Sequence, residues 1–231
     1  MGCMLVSAGP TREYLDDVRY ITNASSGRMG IWVAEAAARR GWDVHLALGP
    51  TPLEPPAGVH VHPFTSAQEL AEVARRLWAE VDAFVATAAV GDYRPSTRFV
   101  GKRKKGDGPW QLEMVRNPDI LWERSREKGH RCLVGFALES DPRPEEAMRK
   151  LVNKGLDLIL LNSTANLGST EGNFDWIEAT GTQEPLGAID KRALAERIVT
   201  FVTDHVTRGR AKASTGGGSA DAPEAGGHDR P

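Results

Sequence analysis

Two glycine turns near the start of the chain could bind an anion. Gly9 and Thr11 follow a short apolar run, and Ser25, Ser26 and Gly27 precede a helical pattern. A helix N-terminus with hydroxyls and free backbone N–H groups is suited to a phosphate, although such serines more often serve only as a helix cap. We therefore take these five residues as candidates for phosphate or substrate binding.

The segment between the two turns is long and charged, and it contains Asn23. An insertion of this kind between a first strand and its helix is uncommon in compact domains and is usually functional. The side-chain amide of Asn23 can both donate and accept hydrogen bonds, as the positioning of an oxyanion or an amine requires. Asn23 is therefore a candidate catalytic residue.

An aspartate and a basic run follow a second apolar run. Asp92 stands at the carboxyl end of a predicted strand, where a carboxylate can hold a ribose hydroxyl or a metal ion. Lys102 opens the basic run 102–105 between Gly101 and Gly106, and a lysine in so flexible a loop can swing onto phosphates. The run could instead be a solvated surface or a nucleic-acid patch. We exclude nucleic acid because 29 Lys and Arg face 31 Asp and Glu, and no aromatic residue interrupts the run.

A third polar group lies further along the chain. The segment 117–121 stands at a predicted helix start, and Phe136 lies near the end of a predicted strand. Lys150 and Lys154 are four residues apart on one helical face. Like charges at this spacing repel by roughly a few tenths of a kcal/mol, which favours a bound anion, although a solvated helix face is the commoner explanation.

The elements that must position these residues alternate along the chain. The predicted strands are 4–8, 43–48, 83–90, 131–137, 156–161 and 173–178, and the predicted helices are 29–40, 67–81, 118–128, 145–154 and 191–205. Because the strands are almost continuously apolar and separated by helices, they predict a mostly parallel sheet covered on both faces. The predicted fold is a Rossmann-like three-layer α/β/α sandwich with ligands at the carboxyl ends of the strands.

Composition narrows the function classes. A chain of 231 residues with 40% apolar residues can bury a core without disulfides or a structural metal. No apolar run reaches the ~20 residues of a membrane span, and no signal-peptide pattern is present, so we expect a cytoplasmic protein without a membrane partner. The cysteines are Cys3 and Cys132, and no Cys/His pair has zinc spacing, so the sequence supports neither a disulfide framework nor a zinc site.

One domain is expected to span residues 1–206. Residues 207–231 are rich in Gly, Ala, Ser and Pro and contain almost nothing apolar enough to pack, which predicts a disordered tail.

The motifs together resemble the phosphopantothenoylcysteine synthetases (phosphopantothenate-cysteine ligases) of coenzyme A biosynthesis, in particular the bacterial CTP-dependent members. The resemblance covers about residues 4 to 206 and rests on ordered motifs at family-like spacing. These are 9–13, 18–23 with 25–30, 88–93, 102–105, 117–121 and 135–137.

This resemblance implies a ligase that joins 4′-phosphopantothenate to L-cysteine. In that family the carboxylate attacks the α-phosphate of CTP, pyrophosphate leaves, and the amino group of cysteine captures the acyl cytidylate with release of CMP. By resemblance, Asp92 holds the nucleotide with the help of Mg²⁺ or Mn²⁺, Lys102 neutralises the triphosphate, and Phe136 packs near the cytosine. The remaining nucleotide-pocket residues implied are Asp119, Ile120, Leu121, Lys150 and Lys154.

The resemblance also assigns Asn23 to the acyl-nucleotide intermediate and Arg19 to the assembly of a homodimer. In many bacteria the domain is fused behind a flavin-dependent decarboxylase. Because this chain begins directly at its first predicted strand, we expect a functional link to a separate phosphopantothenoylcysteine decarboxylase.

Three positions depart from the family pattern. Pro10 and Gly91 replace residues that are usually glycine and alanine, and Arg103 stands where isoleucine is frequent. Pro10 removes a backbone N–H from the first turn, so we expect differences in local geometry there.

Two other functions stay open from the residues alone. A nicotinamide- or flavin-dependent oxidoreductase is disfavoured by the absence of Gly-x-Gly-x-x-Gly and of a Tyr-x-x-x-Lys pair, and bound flavin would revive it. A non-catalytic nucleotide-binding module would bind CTP but release no pyrophosphate.

Overall fold

A computed structural model describes residues 2–215, and the side chains of 2–211. The strands of this part of the chain are β1 (Cys3–Ala8), β2 (Arg12–Tyr14), β3 (Tyr20–Thr22), β4 (Asp43–Leu48), β5 (His60–Pro63), β6 (Ala83–Ala86), β7 (Tyr93–Pro95), β8 (Met114–Arg116), β9 (Cys132–Glu139), β10 (Leu158–Ser163), β11 (Glu171–Glu178) and β12 (Gln183–Asp190). The α-helices are α1 (Arg28–Arg39), α2 (Ala67–Leu77), α3 (Ile120–Ser125), α4 (Pro144–Asn153) and α5 (Lys191–Thr215).

The central sheet has eight strands in the order β12-β11-β10-β9-β6-β1-β4-β5. The six strands from β10 to β5 are parallel to their neighbours, whereas β11 and β12 run antiparallel at one edge. Numbered along the chain, the six parallel strands follow the Rossmann order 3-2-1-4-5-6. The strand order therefore reverses between β1 and β6. Folds of this kind form a ligand crevice at such a reversal, which we call the switch point.

Helices cover both faces of this sheet. On β1, Met4 and Val6 pack in the core beneath α1 and α5, and Leu5 packs in the core beneath α2, α3 and α4. This alternation follows the period of two residues that a strand buried on both faces imposes. The prediction of a three-layer α/β/α sandwich with a mostly parallel sheet is confirmed.

A glycine lets the first helix lie close to the sheet. A Cβ atom added at Gly30 of α1 would lie 2.5 Å from Ala8 Cβ, 2.5 Å from Thr87 Oγ1 and 2.9 Å from the Ser7 carbonyl oxygen. Ala8 and Ser7 end β1 and Thr87 follows β6. This glycine therefore sets the distance between α1 and the carboxyl ends of the two strands at the switch point.

We expect Gly30→Ala to lower the free energy of unfolding by about 2 to 3 kcal/mol, because the added methyl group must displace backbone or buried atoms. Chemical denaturation measures the change. Gly209→Ala is the matched control, since Gly209 lies in α5 with no heavy atom within 4 Å of an added Cβ, and it should stabilise the chain by up to about 1 kcal/mol. Equal effects of the two substitutions would contradict the packing argument.

Several predicted boundaries are wrong. The strand predicted over 83–90 ends at Ala86, and the following residues form a loop. The helix predicted from Pro118 begins at Ile120, because the Asp119 carboxylate caps it by accepting the Trp122 N–H at 3.1 Å. The helix predicted over 67–81 ends at Leu77.

The last helix is longer than predicted. It continues past residue 205 to Thr215, so residues 207–215, which we assigned to a disordered tail, are helical. The rest of that predicted tail, 216–231, lies outside the described residues. None of the helices within 2–215 combines the length and apolar content needed to cross a membrane.

Candidate active site

A cavity of about 550 Å³ opens beside the switch point, at the carboxyl ends of β6 and β9. Its size suits a small-molecule ligand. Six of the predicted site residues line it, namely Asp92, Asp119, Ile120, Leu121, Phe136 and Lys154. Lys102 and Lys150 are not part of its wall.

Asp92 presents a free carboxylate to this cavity. The residue is exposed, and among residues 2–215 its carboxylate has no hydrogen-bond or ion-pair partner. Neither cluster of three metal-ligating side chains in the described residues includes Asp92. One carboxylate is nevertheless a sufficient protein ligand for Mg²⁺ when nucleotide phosphates and water supply the other oxygens. Asp92 therefore fits a nucleotide-bound magnesium ion better than a metal site built from protein alone.

Asn117, which is not among the predicted site residues, holds the loop that carries Asp92. Its Nδ2 donates to the Gly91 carbonyl at 2.7 Å, and its backbone N–H donates to the Asp92 carbonyl at 2.8 Å. Its Oδ1 accepts a hydrogen bond from Arg94 Nη1 at 3.3 Å. Asn117 is therefore a positioning residue for the carboxylate, and the only sequence signal was its place at the start of the segment 117–121.

We expect Asn117→Ala to raise the KM for nucleotide about tenfold to a hundredfold and to shift the Mg²⁺ dependence to higher concentration, because the Asp92 loop loses two side-chain hydrogen bonds. Steady-state kinetics at several Mg²⁺ concentrations measure this. The control Asn153→Ala changes an exposed asparagine outside the cavity wall and should leave KM unchanged. A lower kcat at constant KM and constant Mg²⁺ dependence would contradict the positioning role.

The two lysines of α4 and its C-cap each face an acid. Lys154 Nζ lies 2.8 Å from Asp119 Oδ2, and Lys150 forms a close ion pair with Glu139. The sequence suggested that a bound anion would relieve the repulsion between the two lysines. In the structure these two carboxylates offset that repulsion. Lys154 and Asp119 therefore line the cavity as an ion pair.

An apolar wall completes the cavity. Phe136 is half-buried on β9, Leu121 lies beside it on α3, and Ile120 is buried. A Cβ added at Gly135 would lie 3.0 Å from Leu121 Cδ2 and 2.8 Å from Leu156 Cδ1. The glycine therefore makes room for Leu121 against the strand.

Asn23 lies at the rim of the cavity. Its Nδ2 donates to the Val90 carbonyl at 3.0 Å, with a longer contact of 3.4 Å to the Ala89 carbonyl. Val90 lines the cavity, so the amide oxygen of Asn23, which has no partner in the described residues, stands close to any ligand there.

The two glycine turns meet at the carboxyl end of β1. A Cβ added at Gly27 would lie 3.1 Å from the Gly9 nitrogen, so the two backbones are in direct contact. The hydroxyls of Ser25 and Ser26 accept the N–H groups of Gly27 at 3.3 Å and Arg28 at 3.4 Å. Gly27 itself is the N-cap residue of α1, with φ of 75°, so the cap position has no side chain that could accept the N–H groups of the first helical turn. The N–H group of Met29, the second residue of α1, has no side-chain acceptor in the described residues and can donate to an anion.

Thr11 has a different role from the other candidates in this turn. It is fully buried, and its Oγ1 accepts the Gly91 N–H at 3.0 Å. Its hydroxyl therefore joins the first turn to the Asp92 loop from inside.

The basic loop that contains Lys102 is tied to the β2–β3 hairpin. Asp16 is fully buried and accepts the backbone N–H groups of Val18 at 2.9 Å, Arg19 at 2.8 Å and Arg103 at 3.1 Å. The Arg19 guanidinium on this carboxylate, together with those N–H groups, holds the pKa of Asp16 far below its usual range. Asp16 therefore stays ionised, and Arg19 is engaged within its own chain.

A second aspartate fixes the same loop from the other side of Lys102. Asp17 Oδ2 accepts the Gly101 N–H at 2.8 Å. Lys102 itself is exposed and has no partner in the described residues. The backbone on both sides of the lysine is thus fixed while its side chain is free.

Two of the departures from the family pattern have a structural explanation. A Cβ added at Gly91 would meet its nearest atom, Thr11 Oγ1, at 3.6 Å, so the usual alanine would fit without rearrangement. The Arg103 guanidinium lies 4.5 Å from the ring centre of Trp110 and 4.8 Å from that of Phe99, a cation–π arrangement that isoleucine could not make.

The family model described as "DNA/pantothenate metabolism flavoprotein C-terminal domain" matches residues 2–206. The chain is 40% identical over 214 residues to the coenzyme A biosynthesis bifunctional protein CoaBC of Mycobacterium tuberculosis, a match that covers 86% of this chain and 51% of the relative. The chain thus spans about half the length of the curated relatives it matches.

Solved structures show the same similarity. The crystal structure of the C-terminal domain of CoaBC is 33% identical, with a TM-score of 0.78, and the match covers 90% of this chain and 96% of that domain. A structure of a Cab2 mutant in complex with phosphopantothenate-cysteine has a TM-score of 0.74 at 17% identity, covers 92% of this chain and 89% of the other, and supports the fold alone.

Proposed function

This chain belongs to the family of DNA/pantothenate metabolism flavoprotein C-terminal domains, and from that membership we propose that it joins 4′-phosphopantothenate to L-cysteine in coenzyme A biosynthesis, with CTP as the activating nucleotide. The observation that carries the proposal is the switch-point cavity, where the Asp92 carboxylate, the Asn23 amide and the wall formed by 119–121 and Phe136 meet.

The proposed reaction has two steps. The substrate carboxylate attacks the α-phosphate of CTP, which forms an acyl–phosphate bond and breaks the bond to pyrophosphate. The amino group of cysteine then attacks the acyl carbon, the amide forms, and CMP leaves. Because charge and positioning dominate such steps, lysines, a helix N-terminus and a placed amide suffice without a nucleophilic side chain.

Each part of the site has a task in this scheme. The apolar wall at Phe136 receives the cytosine, and Lys102 reaches the leaving pyrophosphate from its anchored loop. At the turn of Ser25, Ser26 and Gly27, the two serine hydroxyls and the N-terminal end of α1 would bind a substrate phosphate. Asn23 holds the acyl cytidylate for the amine.

Asp92 would hold the divalent cation, Mg²⁺ or Mn²⁺, together with the nucleotide phosphates. When bound there, the cation neutralises phosphate charge during displacement. The Asp92 carboxylate has no hydrogen-bond or ion-pair partner in the described residues and faces the cavity, which supports this assignment.

A homodimer is part of the proposal. The β2–β3 hairpin exposes Val18, Tyr20 and Ile21 by 57%, 38% and 41%, and a partner subunit would cover them. Sedimentation equilibrium tests this association. A cytoplasmic location and a functional link to a phosphopantothenoylcysteine decarboxylase stay predictions of the sequence.

Pyrophosphate release tests the ligase proposal. Purified protein is incubated with Mg²⁺ and 4′-phosphopantothenate, with CTP or ATP, and with or without cysteine, and the products are identified by mass. We expect CMP and phosphopantothenoylcysteine from the complete CTP mixture. Product in the complete ATP mixture but not in the complete CTP mixture would reassign the nucleotide. Nucleotide binding without pyrophosphate release in any mixture would show a binding module instead of a ligase.

A further inference from the structure

Five potential metal ligands lie near the amino-terminal ends of β1, β4 and β5. This end of the strands is opposite to the end that carries the cavity. In the strand register Cys3 lies beside Asp43, and His45 lies beside His60. Asp43 and His45 are two residues apart, as are His60 and His62, so each pair faces the same side of the sheet.

The donor atoms of three of these residues are close together. Cys3 Sγ, an Asp43 carboxylate oxygen and a His45 ring nitrogen all lie within 4.8 Å of one another. His45 Nε2 is 4.0 Å from Asp43 Oδ2, and His60 Nε2 is 3.2 Å from Asp43 Oδ1.

We propose that Cys3, Asp43, His45 and His60 form a binding site for a divalent transition-metal ion of the Zn²⁺ type. Thiolate, imidazole and carboxylate are the three ligand classes of protein zinc. In a tetrahedral zinc site, neighbouring nitrogen and oxygen donors lie about 3.4 Å apart. The two distances of 3.2 and 4.0 Å, both measured to the Asp43 carboxylate, bracket that value. His60 stands outside the group of three mutually close donors, so its side chain must turn towards Cys3 and His45 to complete the coordination.

His62 supports the ring of His45 from behind. His62 Nε2 lies 2.8 Å from His45 Nδ1, and the two rings are nearly parallel. Coordination through His45 Nε2 requires that Nδ1 carries the proton. The Nδ1–H group can then donate a hydrogen bond to His62 Nε2, an outer-shell contact common at metal sites. The exposed guanidinium of Arg76, 3.3 Å from His62 Nδ1, then turns to solvent.

The charge and exposure of the group favour a cation. An Asp43 carboxylate oxygen lies within 4.8 Å of the Cys3 thiol, and Asp82 Oδ2 fixes Cys3 by accepting its backbone N–H at 2.9 Å. The side chains of Asp43 and His60 are 60% and 65% exposed, so an ion can enter from solvent.

A metal here would act on stability. It would join the edge strand β5 to β4 and β1, at the opposite end of the strands from the cavity. Local sequence spacing gives no sign of it, because the ligands come from three strands and only their register brings them together.

A second cluster provides the internal control. Cys132, Asp157 and His205 also lie within reach of one another, but Cys132 is fully buried. Asp157 already accepts the Leu133 N–H at 2.8 Å and pairs with Lys128 Nζ at 2.8 Å. Its charge is therefore compensated without a metal.

Cobalt titration of the full chain, freed of metal by a chelator, tests the proposal. Co²⁺ should bind one to one and give a thiolate-to-metal charge-transfer band that Zn²⁺ displaces. We expect Cys3→Ser to abolish the band, and His45→Gln and His60→Gln to weaken binding at least tenfold. His62→Gln should weaken it about tenfold to a hundredfold, and His205→Gln should leave it unchanged.

His60→Gln keeps the test decisive if another variant fails to fold, because His60 is mostly exposed. Saturating Zn²⁺ should raise the Tm of the unsubstituted chain but not that of His60→Gln. A missing cobalt band, a band that survives Cys3→Ser, a band lost in His205→Gln, or an equal Zn²⁺ effect on His60→Gln would each overturn the proposal. None of these readouts depends on ligase activity.

Discussion

Lys102→Ala is expected to lower kcat by roughly 10²- to 10³-fold, about the loss caused by removing one donor that stabilises transition-state charge. The physical reason is the developing charge on pyrophosphate, which a lysine can neutralise from outside the cavity. Gly101 and Arg103 are bound to Asp17 and Asp16, so the loop is fixed while the lysine side chain is free to move. Pyrophosphate release under saturating substrates measures the effect.

Lys105→Ala is the matched control for Lys102. It removes the same charge from the same exposed basic run, so a general loss of positive potential would affect both variants equally. We expect Lys105→Ala to retain activity within a few-fold of the unsubstituted chain. Activity of Lys102→Ala within tenfold would remove Lys102 from the mechanism.

Asn23→Ala is expected to separate the two steps of the reaction. Nucleotide cleavage should continue, whereas product formation should fall by roughly 10²-fold or more, because the amide that holds the acyl cytidylate is gone. In the unsubstituted chain, the hydrogen bond from Asn23 Nδ2 to the Val90 carbonyl fixes the amide at the cavity rim. Mass spectrometry of quenched mixtures should detect the accumulated acyl cytidylate.

The control for Asn23 is the unsubstituted chain without cysteine, which should accumulate the same intermediate because the second step has no nucleophile. If Asn23→Ala forms phosphopantothenoylcysteine at the normal rate, the amide has no part in the second step. If it releases no pyrophosphate, Asn23 acts in the first step instead.

The sheet and its layers were predictable because they follow from local patterns. Apolar runs such as 4–8 are buried on both faces and leave little choice but a central parallel strand. The short strands β2, β3, β5, β7, β8 and β12 were not predicted. They are three to eight residues long and mostly exposed or half-buried, so pairing with a neighbouring strand defines them more than hydrophobicity does.

The candidate site was predictable where it depends on strand ends. Asp92 was found because it follows β6 and Phe136 because it lies on β9, since ligands collect at the carboxyl ends of parallel strands. The partners of Lys150 and Lys154 were not, because Glu139 and Asp119 are distant in sequence. The support that Asn117 gives to Asp92 depends on pairing between β7 and β8, and no local pattern reveals it.

The two borders of the central sheet resist further growth. The strand pair β11–β12 has an irregular register at Phe174 and Asp175, and β12 contains Pro185, which has no N–H to offer to another strand. At the other border β5 is four residues long and ends at Pro63. Irregular, short or proline-containing borders are poor templates for strand addition from another molecule. The fold is therefore protected at both sides against edge-to-edge aggregation when the protein is concentrated.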